Sequence, residues 1–202
     1  GVDMFFVISG FVITSSLSRR KISNFSDFII SFYKRRLKRL IPGLVFFILI
    51  MGILICFFNP EPQLTLRTGI TSLFGFSNIY LIKQATDYFG ESTQLNVFVH
   101  TWSLGVEEQF YFLFPLIIWF TGFGRQTHKG YRSFTFTILF LVIFSLSLYL
   151  YIFSRNESMA YFSMPTRFWE IATGSLVFIL LKKETFIGSK LNKLPPLPIF
   201  LA

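Results

Sequence analysis

Two adjacent carboxylates, Glu107 and Glu108, stand at the head of an apolar run in HTWSLGVEEQFYFLFPLIIWF, residues 100–120. A charged side chain in a bilayer costs about 2.5–3.5 kcal/mol even on the lenient insertion scale, so a carboxylate kept there pairs, faces a polar interior or lies on a substrate path. Neighbouring helix positions point about 100° apart, so one of the two can face a cavity while the other pairs or reaches the interface. The chemistry such a group offers is that of a relay carboxylate or the partner of a base. A second constellation is cationic. In FYKRRLKRLIP, residues 32–42, Arg35 and Arg39 stand at i,i+4 and Arg36 and Arg39 at i,i+3, which brings the guanidinium groups to one side of a helix. Arginine forks suit phosphate oxygens; the same cluster would equally serve as a topology signal against anionic headgroups. Asp3, His100, Arg167 and Glu170 complete the set. Asp3 reads as a helix cap or a site acid, Arg167 and Glu170 as an i,i+3 ion pair or site residues, and His100 as an outer-surface, capping or catalytic residue. His128, in a basic loop, reads as inert.

The elements that must hold these groups are membrane helices. Half of the 202 residues are apolar, Phe alone supplies 29, and only 14% are charged, against about 25% in soluble domains. The apolar residues come in runs, and a span needs about 20 of them. Gly43–Phe58, Trp102–Phe120, Phe134–Phe153 and Pro165–Leu181 qualify or come close, and Met4–Leu17 is a shorter fifth. The expected fold is all-α, a polytopic transmembrane bundle with about five spans here. The segment Asn59–Thr101, with both ends on one side, is expected to hold a surface or re-entrant piece over Ile70–Ile82 rather than a simple span. Ser23–Asp27 offers helix caps, and FIISFYKRRLKRL is expected to form a helix ending before Pro42. Cys56 reads as a small apolar helix residue, and a single cysteine permits no internal disulfide.

Lysine and arginine set the orientation. Fifteen of the nineteen fall in three stretches: Arg19, Arg20, Lys21, Lys34, Arg35, Arg36, Lys38 and Arg39; Arg125, Lys129 and Arg132; and Lys182, Lys183, Lys190 and Lys193. Alternating five spans puts all three on one side, the cytoplasm. The net charge of +9 thus tracks topology, and nucleic acid is not an expected partner. On this reading Asp3, Glu107, Arg167 and Glu170 all fall in the outer part of the bilayer, with Glu107 about 7–8 Å below Trp102 at 1.5 Å per residue, and a common polar cavity is expected to hold them.

Four stretches carry a resemblance: GVDMFFVISGFVIT at 1–14, FYKRRLKRLIP at 32–42, HTWSLGVEEQFYFLFP at 100–115 and MPTRFWEIATGSL at 164–176. In order and spacing they resemble the acyltransferase-3 family of bacterial membrane O-acyltransferases, the last being similar to the branch whose members often carry an extracytoplasmic SGNH-type domain. The resemblance implies that residues 1–202 are part of a roughly ten-helix transmembrane acyltransferase domain, with the first helix and C-terminal helices outside them. Gly1-Val2-Asp3 at the head of an apolar run and PPLPIFLA at 195–202 agree with that expectation.

The implied activity is transfer of an acyl group, acetyl first among them, from cytoplasmic acyl-CoA to a hydroxyl of a cell-envelope sugar in lipopolysaccharide, peptidoglycan or exopolysaccharide. The setting is the bacterial inner membrane, multi-pass, and no metal is needed. By resemblance Arg36 and Arg39, with Arg35 beside them, bind the acyl-CoA donor. The Ser-Leu-x-x-Glu element is Ser103, Leu104 and Glu107, which favours Glu107 over Glu108 for the chemistry. The family's catalytic His belongs to a helix expected upstream of residue 1, and neither His100 nor His128 holds its position. The expected mechanism is general-base attack of the sugar hydroxyl on the thioester, a covalent acyl-His route being the variant. A transporter or acyl-group channel using Glu107 as relay carboxylate, and a non-catalytic scaffold, are the readings from other classes. Thioester turnover by the full-length protein separates them.

Overall fold

The computed structural model describes residues 1–19, 24–86 and 96–181. Arg20, Lys21, the four tail lysines and the segment 195–202 lie outside them. Among the described residues the regular structure is helical: α1 Val2–Ser18, α2 Phe25–Phe58, α3 Gln63–Leu73, α4 Ser77–Thr86, α5 Trp102–Thr121, α6 His128–Phe153, α7 Glu157–Phe162 and α8 Met164–Leu181. Two of these, α2 and α6, are long and apolar enough to cross a membrane, and α1 is a shorter apolar helix. Phe46, Phe57, Phe58, Phe140 and Phe144 stand exposed on them, as lipid-facing residues would.

The five longer helices run alternately in opposite directions. Phe25 at the start of α2 packs on Trp119 near the end of α5, while Phe6 near the start of α1 packs on Trp102 at the start of α5. Ser145, late in α6, donates through Oγ to the Pro165 carbonyl at the start of α8 (2.6 Å). Gln126, in the α5–α6 turn, donates to the Ser18 carbonyl at the end of α1 (2.9 Å). The basic residues around Arg19 and Arg125 therefore share one end of the bundle, as the lysine and arginine pattern requires.

Helix α2 differs from expectation. It does not stop before Pro42 but continues through it to Phe58, with Asn24 as its N-cap accepting from the Ser26 amide (3.2 Å). A proline inside a helix removes one N–H and crowds the carbonyl four residues earlier, here Lys38, at a cost of about 3 kcal/mol. Strong helix formers precede it and a long apolar run follows it, so the favourable helix on either side outweighs that one defect. At 1.5 Å per residue the 34 residues reach about 51 Å, well beyond a hydrocarbon core of about 30 Å. The basic turns accordingly belong to the same rigid rod as the apolar run.

Segment 59–101 contains no single long helix among its described residues. Helices α3 and α4 meet at a turn in which Gly75 has φ +71°, a backbone region that only glycine enters freely. Buried polar bonds tie this hairpin down: Ser77 to the Thr101 carbonyl (2.8 Å), Asn78 to the Phe162 carbonyl (3.0 Å) and Asn96 to Thr68 Oγ1 (2.7 Å). The surface or re-entrant reading of Ile70–Ile82 fits this hairpin.

Helices α1 and α8 approach to backbone contact. A Cβ added at Gly10 would overlap the Ile171 carbonyl, and one at Gly174 would overlap the Val7 carbonyl. Thr14 Oγ1 donates to Ser175 Oγ beside them (2.9 Å). Small residues let helices pack this closely where no hydrophobic gain drives them together. Gly174→Leu should therefore part α1 from α8. Overpacking costs about 1–3 kcal/mol even where side chains can yield, and here the obstacle is backbone. We expect folded protein in membranes to fall several-fold, measured by size-exclusion of a fluorescent fusion; an unchanged profile would show that the helices separate without penalty.

Candidate active site

Glu107 lies on the α5 face that turns toward α1. The side chains of Ser9, Glu107 and Tyr111 are nearly enclosed, with 8%, 7% and 7% of each residue exposed. Ser9 Oγ and Tyr111 Oη both donate to Glu107 Oε1, and the two hydroxyl oxygens lie 2.5 Å apart. Tyr111 stands one turn beyond Glu107, so the i,i+4 pair shares a face.

From the other side, Arg36 of α2 places its guanidinium 4.0 Å from the centre of the Tyr111 ring. A cation over an aromatic face gains about 0.5–1 kcal/mol when exposed and about 2 or more when desolvated. Three helices thus converge: α1 supplies a hydroxyl, α5 the carboxylate and phenol, and α2 the cation. Helix α2 is tied to α5 at this level by Tyr33, whose hydroxyl donates to the Tyr111 and Phe112 carbonyls (3.4 and 3.2 Å). The reason is local. Pro115 has no N–H to give the Tyr111 carbonyl four residues earlier, so that acceptor is free for a side chain from another helix.

The remaining expected residues are distributed differently. Glu108 points elsewhere, against the α3–α4 turn, where a Cβ on Gly75 would run into its carboxylate. Arg35 and Arg39 are exposed on α2, whereas Arg36 lies over the ring of Tyr111, the phenol that donates to Glu107. His100 is exposed in the 3-10 turn Val99–Thr101, and Ser103 Oγ donates to its carbonyl (3.2 Å). Seven residues, about 10 Å of helix rise, separate it from Glu107.

The expected single outer cavity gives way to two groups of polar residues. Arg167 pairs with Glu170 one turn along α8 and with Asp3 of α1 (3.3 Å). Its guanidinium also lies 4.9 Å from the centre of the Tyr161 ring and 5.7 Å from that of Trp102. Asp3 lies in the first turn of α1 and joins this ion group. Glu107 belongs to the other group, because its face of α5 meets Ser9 two turns below Asp3 and the cation arriving along α2. Arg167 Nε and Glu170 Oε2 are buried without hydrogen-bond partners among the described residues.

Sequence reasoning missed Ser9 and Tyr111. Tyr111 could have been found from its i,i+4 spacing to Glu107. Ser9 carries no such signal, being one small polar residue in an apolar helix.

The alternating helices thus bury a carboxylate held by two hydroxyls, with an arginine of α2 over the ring of one of them. The family model described as an acyltransferase domain matches residues 1–202. The chain belongs to this acyltransferase-3 family. It is 35% identical over 178 residues to O-acetyltransferase OatA of Staphylococcus aureus (strain NCTC 8325 / PS 47), a match covering 88% of this chain and 29% of that protein. OatA of S. aureus (strain MRSA252) gives the same identity and coverage. The chain thus spans about three tenths of the length of these relatives. No solved structure matches it.

Proposed function

We propose that the protein containing this chain is a membrane O-acyltransferase that moves an acyl group, acetyl by analogy with the relatives' names, from acyl-CoA to a hydroxyl of a cell-envelope glycan or glycolipid. Residues 1–202 would form about five spans of a multi-pass domain in the bacterial inner membrane. The acceptor hydroxyl oxygen attacks the thioester carbonyl carbon, the C–S bond breaks, and CoA leaves as a thiol once it has taken up the proton removed from the hydroxyl. Arg36 and Arg39, with Arg35 beside them on the basic stretch of α2, are suited to the phosphates of the donor. Glu107, held by the Ser9 and Tyr111 hydroxyls, is suited to orient the base that takes the hydroxyl proton, a contribution of about 10²–10⁴-fold for such a base.

The observation that carries this reading is the meeting of Arg36, from the basic stretch of α2, with the aromatic partner of Glu107. A transporter needs a relay carboxylate but no phosphate-binding cations beside it. The test uses the full-length protein in lipid nanodiscs with acetyl-CoA labelled in the acetyl group and purified peptidoglycan fragments or polysaccharide as acceptor. The expected result is release of free CoA together with alkali-labile label on the acceptor. Absence of CoA release above protein-free controls with every acceptor would overturn the proposal.

A further inference from the structure

We propose that Tyr111 is a positioning residue with two separate tasks: its hydroxyl, together with that of Ser9, fixes the Glu107 carboxylate, and its ring face fixes Arg36. The second task bears on catalysis only if the donor reading above holds; the first does not depend on it. Glu107 Oε1 accepts both hydroxyls, so the carboxylate cannot rotate without breaking two charge-assisted bonds, each stronger than its neutral counterpart. Arg36 lies over the same ring at 4.0 Å and sits half-buried, whereas Arg39 on the next turn is exposed. The long arginine side chain is thereby held against α5 rather than left free among the headgroups. The Tyr33 bonds to the Tyr111 and Phe112 carbonyls hold α2 at the distance this contact needs. A single phenol thus couples the donor-side cation to the carboxylate. A group held on both sides in a buried site has few alternative rotamers, and sub-ångström placement is what proximity effects demand.

The two tasks are separable by substitution. Tyr111→Phe removes the hydroxyl and keeps the ring; Tyr111→Leu removes both. In the full-length protein in nanodiscs, at matched folded amounts, Tyr111→Phe should lower kcat for CoA release by at least ten-fold while leaving KM for acetyl-CoA within about two-fold. Tyr111→Leu should lower kcat similarly and also raise KM at least five-fold. Rescue of KM but not of kcat by the Phe variant is the signature that a merely structural role would not give. Unchanged kcat in Tyr111→Phe would overturn the hydroxyl's task, and equal KM values in the Phe and Leu variants would overturn the ring's. An arm without turnover reads the hydroxyl's contact itself: thermal unfolding of Glu107→Leu, which removes the acceptor, of Tyr111→Phe and of the double variant should give non-additive Tm shifts, and additive shifts would overturn the coupling. If the wild-type protein releases no CoA, the donor reading fails with the ring's catalytic task, and this thermal cycle decides the hydroxyl's.

Discussion

Glu107→Gln in the full-length protein is expected to reduce acyl transfer by about a hundred-fold or more, with Glu108→Gln within a few-fold of wild type. The two residues are neighbours in sequence, yet Glu107 takes two hydroxyls on one carboxylate oxygen while Glu108 rests against the Gly75 turn. Glutamine keeps the volume and an acceptor oxygen, so Ser9 and Tyr111 retain a partner and only the charge is lost. Removing a charge from a membrane helix favours insertion if anything, so misfolding would not account for lost activity. On the proposed mechanism the magnitude is the share of a general base, about 10²–10⁴-fold, that Glu107 would orient. The measurement is label transfer from acetyl-CoA in membranes with matched protein levels. Full activity in Glu107→Gln with a dead Glu108→Gln would reverse the assignment, and activity in both would remove these carboxylates from the chemistry.

Arg36→Ala is expected to be the more damaging of the two arginine substitutions at i,i+3. Each charge-assisted contact to a donor phosphate is worth about 1.5–3 kcal/mol, so Arg39→Ala should raise KM for acetyl-CoA about ten-fold or more with little change in kcat. Arg36→Ala loses its cation and also strips the ring face of Tyr111, so kcat should fall along with donor affinity. Lysine is no substitute at Arg36 because an ammonium lacks the planar face that lies on the ring, and Arg36→Lys should recover only part of the loss. The check is initial-rate kinetics across acetyl-CoA concentrations. Unchanged donor affinity with reduced protein abundance in both alanine variants would leave the cluster as a topology signal alone.

The ion group around Arg167 shows a different balance. Two carboxylates flank one guanidinium, Glu170 buried and Asp3 exposed, so removing Glu170 breaks a buried pair, at about 3–5 kcal/mol because the Arg167 charge stays buried, whereas an exposed pair such as that with Asp3 is worth about 1 kcal/mol or less. The group joins the starts of α1 and α8, about two turns from the backbone contacts at Gly10 and Gly174.

The amino-acid sequence by itself determined the helices and their directions. Long apolar runs can satisfy their backbone in lipid only as helices, and clusters of lysine and arginine mark one end of each pair; the ends of α5 and α8 fall within a residue or two of where the runs suggested. It also determined that Glu107 and Glu108 face different ways, since helix geometry alone requires that. The continuation of α2 through Pro42 was not legible, because a local helix breaker is overridden by the segments on either side of it. Nor were the partners of the charges. Hydrophobic periodicity describes one helix at a time, whereas the Ser9–Glu107–Tyr111 group and its Arg36 depend on the rotation and depth at which α1, α2 and α5 pack. Those are set by contacts far apart in the chain, such as glycine against carbonyl and tyrosine against a carbonyl freed by proline. Tertiary structure alone therefore decided that the embedded acids divide into two groups, and that Arg36 of α2 lies over the phenol that holds Glu107.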